Sequence, residues 1–122
     1  MAITNALASL AVRDLVRAAP FYEALLGRGH QLTPELVEWH LRSGGGLQLY
    51  VLPERAGQGS CTLIVDDIDA IAARLRESGL AADVEVAHHD HVDTIMIKDP
   101  DGNSIAFARP TDAGDDDLVA IA

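Results

Sequence analysis

Hydrophobic and polar positions switch between two periods along the chain, and the same switch occurs twice. In residues 7–15 (LASLAVRDL) and 60–68 (SCTLIVDDI), alternation runs up to a valine and then meets an acidic residue. Successive side chains on a strand face opposite ways, so each run reads as a half-buried strand. Behind Asp14, the positions Leu15, Ala18, Ala19, Tyr22, Leu25 and Leu26 fall on one helical stripe that stops at Gly27. Behind Asp67, the positions Ile68, Ile71, Ala72 and Leu75 do the same before Gly79. Asp14 and Asp67 are suited to cap these helices by accepting first-turn N–H bonds. Pro20 is the misfit, because it removes one helical hydrogen bond and should bend the first helix.

Three strand-like runs follow each helix. In the first half they are residues 30–33, 37–42 and 47–52, with SGGG at 43–46 as a hairpin loop. In the second half they are residues 83–87, 94–98 and 104–108, with DPDGN at 99–103 as the turn. The segment PERAGQG, residues 53–59, is the natural linker. The order strand, helix, three strands, repeated, predicts an internal duplication. A single domain is expected over residues 1–110, built from βαβββ modules at 5–53 and 59–110, followed by an acidic, mobile tail at 111–122. Within that tail Leu118 to Ile121 form a short apolar segment suited to docking on a neighbour.

Alternation also assigns faces. Leu10, Val12, Leu47, Leu49, Val51, Leu63, Val65, Ile95, Ile97, Ile105 and Phe107 should pack under the helices, together with Trp39. The opposite face carries Leu7, Ser9, Ala11, Glu38, His40, Arg42, Gln48 and Tyr50 in the first half. In the second it carries Ser60, Thr62, Ile64, Thr94, Met96, Lys98, Ser104, Ala106 and Ala108. This mixture of small, hydroxylic, aromatic and ionisable groups is the lining of a ligand cavity rather than of a fully wetted sheet. Burial of the same face against another subunit is the alternative.

Composition narrows the classes. The chain has 122 residues, 48% apolar and 23% charged, which suits one globular domain with a modest core and leaves no run long enough to span a membrane. Nine basic against nineteen acidic residues give a net charge of −10, which disfavours nucleic acid and anionic membranes as partners. The amino terminus lacks the basic segment and apolar stretch of a signal peptide, so a cytoplasmic location is expected. The one cysteine, Cys61, lies in a strand-like run and is expected to be a buried thiol.

The run VDDIDAIAARLRESGL (residues 65–80), followed later by IKDPDGNSIAFARP (97–110), resembles the closing half of the vicinal oxygen chelate superfamily of glyoxalases, bleomycin-resistance proteins and extradiol dioxygenases. The run VRDLVRAAPFYEALLG (12–27), with Phe21 and Tyr22, resembles that superfamily's opening strand-to-helix segment. The resemblance implies an α+β fold of paired βαβββ modules whose curved mixed sheets enclose a cleft, completed by homodimerisation. Enzymatic members hold a divalent metal on four inward-facing ligands, and the repeats carry those positions onto Leu7, Gln48, Ser60 and Ala106. None of these is a His, Glu or Asp, so no metal is expected at the family positions and no cofactor is expected elsewhere.

Other candidates for chemistry are few. His89 and His91, in the run HHDH, would share a face if they lay on a strand and could then bind zinc, copper or nickel, although such histidines are usually solvated. Glu38 and His40 are the candidate acid–base pair, and Arg42 or Lys98 could hold a substrate carboxylate. Without a nucleophile or metal beside them, a polar binding wall without turnover is the preferred reading. The function expected is binding or sequestration of a small molecule in a cleft lined by Leu7, Ser9, Glu38, His40, Arg42, Gln48, Tyr50, Ser60, Thr62, Met96, Lys98 and Ala106. The alternative is a metal-dependent or metal-free lyase, isomerase or dioxygenase of the same superfamily.

Overall fold

The computed structural model describes residues 1–111, so the expectations for the acidic tail, including Leu118 and Ile121, fall outside it apart from Thr111. The described residues form two compact units, one of residues 1–61 with 98–104, the other of residues 62–97 with 105–111. Each repeats the same order of elements. The turn at residues 99–103 groups with the first unit rather than with the module that its sequence position suggests.

The first unit contains β1 (Leu7–Val12), α1 (Leu15–Leu26), β2 (His30–Thr33), β3 (Leu36–His40) and β4 (Gly46–Val51), with sheet order β1-β4-β3-β2. β1 runs parallel to β4, and β3 runs antiparallel to both β4 and β2. The parallel pair requires a crossover, which α1 begins. Asp14 caps α1 as expected, accepting from the Arg17 backbone N–H at 2.7 Å. The helix ends at Gly27, whose φ of 80° is open to glycine and strained for other residues.

Strand alternation places Leu10, Val12, Leu47, Leu49 and Trp39 in the core as expected, against Ala18, Phe21 and Tyr22 of α1. Each fully buried leucine contributes about 1.5–3 kcal/mol. The Phe21 and Tyr22 rings meet edge to face with centroids 5.0 Å apart. Trp39 Nε1 donates to the Gly27 carbonyl at 2.8 Å, which ties the end of α1 to β3. The absence of a side chain at Gly29 allows this approach, since a Cβ there would lie 2.7 Å from Val37 and 2.8 Å from the indole.

The second unit carries most of a second four-stranded sheet. That sheet comprises β5 (Ser60–Ile64), β6 (Ala87–His88), β7 (Val92–Lys98) and β8 (Ser104–Pro110) in the order β5-β8-β7-β6, with α2 (Ile68–Glu77) following β5. Asp67 caps α2 by accepting from the Ala70 N–H at 3.0 Å. Leu63, Ile68, Ala72, Leu75, Ile95, Ile105 and Phe107 are buried as alternation and the helical stripe anticipate, whereas Val65, Ile71 and Ile97 of the same set are only half-buried.

Two strand expectations need correction. Residues 83–87 do not form a strand, because only Ala87–His88 pairs with β7. Val84 is instead buried, and its carbonyl accepts from Arg76 Nη2 at 3.0 Å, so a side chain takes the place of a ladder partner. The run at 37–42 ends at His40, because the Leu41 N–H bonds to the Gly45 carbonyl and starts the turn. Arg42 therefore lies in that turn and not on the strand.

Candidate functional site

Register decides which polar side chains meet on the open face of the first sheet. Ser9 of β1 pairs with Gln48 of β4, Gln48 with Glu38 of β3, and Glu38 with His30 of β2. Partners in register face the same side, so these four residues form one polar row across all four strands. Leu7, Gly46 and His40 flank the row on one side, and Ala11, Tyr50 and Leu36 on the other. Ala11 is buried, leaving half-buried Tyr50 as the aromatic wall.

Within the row the contacts are specific. Ser9 Oγ donates to Gln48 Oε1 at 2.7 Å, which turns the Gln48 amide nitrogen into the unused donor. His40 Nε2 lies 3.0 Å from Glu38 Oε1, with the Glu38 side chain 14% exposed and His40 66% exposed. Glu38 thus anchors an imidazole whose Nδ1 is left for a ligand. Gly46 is required beside them, since a Cβ there would collide with the Leu7 side chain and the Trp39 carbonyl.

The structure therefore brings Leu7, Ser9, Glu38, His40, Gln48 and Tyr50 onto one face, adds His30, and leaves out Arg42. His30 was missed because only the register of β2 on β3 puts it beside Glu38. Lys98 Nζ donates to Ser104 Oγ at 3.0 Å. Ser60, Thr62 and Met96 are exposed and Ala106 is half-buried on the second sheet.

The turn holding His89 and His91 also departs from expectation. β6 ends at His88, so the two residues do not share a strand face. His89 Nε2 instead lies 3.2 Å from Thr94 Oγ1, and the His91 carbonyl accepts from the Thr111 N–H. Among the described residues, no three His, Cys, Asp or Glu side chains are placed to hold a metal ion. Of the four positions that the resemblance assigns to metal ligands, Leu7 and Ala106 carry no donor atom, Ser60 offers only a hydroxyl and Gln48 Oε1 is already bonded to Ser9, so these side chains do not fit a divalent cation.

The DPDGN turn is a structural hub. Asp99 is buried and accepts four hydrogen bonds: from Tyr22 OH at 2.6 Å, Asn103 Nδ2 at 2.9 Å, and the N–H groups of Asp101 and Asn103 at 2.9 and 2.8 Å. Asn103 also donates to the Ala11 carbonyl and accepts from the Gly59 N–H, both at 2.9 Å. Burial, and then the adjacent Asp99 carboxyl, push the Tyr22 phenol far above its ordinary value, so it stays a donor. Nearby Cys61 is half-buried, and burial pushes its thiol up as well, away from nucleophilic reactivity.

In the second unit, buried Asp93 accepts from Arg109 at 2.9 Å and lies 2.7 Å from His88 Nδ1. The Arg109 guanidinium, and then His88, hold the Asp93 carboxyl below the usual carboxylate range. A depressed folded-state value adds stability that is complete above the unfolded value of about 4 and is lost as pH falls through the folded one. Asp93→Asn is therefore expected to flatten the loss of stability below about pH 4, read from urea midpoints at stepped pH. An unchanged slope would show that Asp93 gains nothing from these partners.

Comparison with known proteins agrees with this architecture. The glyoxalase-like domain model matches residues 8–108. A glyoxalase/bleomycin resistance protein from Catenulispora acidiphila DSM 44928 is 33% identical, with a TM-score of 0.74 over 89% of this chain and 100% of that one. TnmS3, an antibiotic binding protein from Streptomyces sp. CB03234, is 28% identical, with a TM-score of 0.72 over 91% of this chain and 99% of that one. A glyoxalase-related enzyme from Clostridium phytofermentans shares the fold at 15% identity, with a TM-score of 0.75 over 91% of this chain and 98% of that one. No curated protein matches the chain. With two βαβββ repeats and a model match across nearly all of the described residues, the chain belongs to the glyoxalase-like domain family, within the vicinal oxygen chelate superfamily.

Proposed function

We propose that this protein binds a small organic molecule on the open face of its first sheet and sequesters it without turnover. The observation that carries the reading is the row Ser9–Gln48–Glu38–His30, which offers a donor, an acceptor and an imidazole beside the Tyr50 ring on one face of the first sheet. Such a mixture fixes the orientation of a flat, partly polar ligand. The similarity to an antibiotic binding protein at 28% identity supports the same direction. No resident metal enters the proposal, for the reason of donor chemistry already given. On this reading the protein acts as a cytoplasmic homodimer, and light scattering on the purified chain checks the dimer.

The test is calorimetric titration with a panel of aromatic and peptide-like compounds, including antibiotics. At least one compound should bind saturably. Glu38→Gln and Tyr50→Ala should each weaken it about tenfold or more, as expected for losing a charged hydrogen bond or a stacked ring, with little change in Tm. Failure of every compound, or full binding by both variants, would sink the reading.

The 3.0 Å contact between His40 and Glu38 favours a second reading, a metal-free isomerase or lyase using His40 as general base. Mass spectrometry of the bound compound after long incubation separates the two. Sequestration returns it unchanged, whereas turnover gives a product that His40→Gln abolishes.

A further inference from the structure

The first unit has a concave surface on the helix side of its sheet, opposite the polar row. It is an open groove of about 760 Å³ between α1 and the β2–β3 hairpin. That volume lies in the range of about 300–1,000 Å³ that holds organic ligands. Its floor is apolar, made by Leu15 and Ala19 of α1 with Val37 and Val51 of the sheet. Val16 stands at its edge, 90% exposed.

The polar groups around that floor mainly accept. Glu23 projects from α1 and Glu35 from the hairpin, and neither carboxyl has a hydrogen bond or ion pair among the described residues. Asp14 adds a third carboxyl, already engaged in capping α1, and Arg28 is the one cation in the lining. Pro20 adds a further acceptor. It has no N–H to return to the carbonyl four residues earlier, so Val16, also part of the lining, loses its ordinary helical partner. Three carboxyls against one guanidinium leave the groove negative, with acceptors on both walls and hydrocarbon between them.

We propose that this groove is a ligand site for an amphipathic organic cation, an ammonium or amidinium carried on an apolar body. The body covers the Leu15, Ala19, Val37 and Val51 floor, while the cationic head lies between Glu23 and Glu35 and donates to the Val16 carbonyl. The site is separate from the open sheet face, because alternate side chains of β3 and β4 serve the two.

The test is a backbone-amide NMR titration of the full chain with phenethylammonium, using phenethyl alcohol as a neutral analogue of similar shape. Saturable shifts confined to α1 and the β2–β3 hairpin are expected for the ammonium, with binding of the alcohol at least about fivefold weaker. The double variant Glu23→Gln/Glu35→Gln, whose side chains make no hydrogen bond or ion pair among the described residues, should weaken the ammonium by about fivefold and leave the alcohol unchanged. Tyr50→Ala should leave both alone, which separates this site from the one proposed above. Equal affinity for ammonium and alcohol, undiminished binding by the double variant, or the absence of saturable shifts in these two elements would overturn the proposal.

Discussion

Replacing Asp99 by Ala is expected to destabilise the protein by about 3–5 kcal/mol, a large share of the roughly 5–15 kcal/mol typical of a domain. The change leaves four donors without their acceptor: the Tyr22 hydroxyl, the Asn103 amide, and two backbone N–H groups of the turn. Each buried donor left unsatisfied costs about 1–3 kcal/mol, and the sum is reduced where water reaches the turn. Tyr22→Phe should cost less, about 1–2 kcal/mol, because it removes one bond and keeps the ring packed against Phe21 and Trp39. The two losses should not add. In an Asp99→Ala background Tyr22→Phe should cost little, since its partner is already gone. Urea midpoints for the four proteins give the cycle. A loss below about 1 kcal/mol for Asp99→Ala would show that the turn holds itself without the carboxyl.

The second large effect has the opposite sign. Pro20→Ala is expected to stabilise the protein by about 1–2 kcal/mol. A proline within a helix costs about 3 kcal/mol through the missing N–H and the ring's clash with the preceding turn. Against that, proline returns about 0.4–1 kcal/mol by restricting the unfolded chain. Pro20 is exposed within Leu15–Leu26, so alanine leaves no cavity. The alanine N–H would bond to the Val16 carbonyl, raising helicity by circular dichroism along with the urea midpoint. No gain in stability would mean that the carbonyl is already satisfied.

The sequence by itself determined the local part of this protein. Period-two alternation separated Leu10, Leu47, Leu49 and Ile105 from the open face, and the stripe ending at Gly27 located α1, because both periods are consequences of backbone geometry within one element. Asp14 and Asp67 were legible as caps for the same reason.

Tertiary structure decided what depends on distant partners. DPDGN reads locally as a turn, and nothing local says that Asp99 reaches Tyr22, 77 positions away, or that Asn103 holds the Ala11 carbonyl. Arg42 left the site because a turn closed by the Leu41–Gly45 bond ended the strand early, and His30 entered it because β2 pairs with β3 in a register that its own residues do not specify. The row from Ser9 to His30 exists only once β4 lies between β1 and β3, an order set by how the crossover folds back and not by the alternation within any strand.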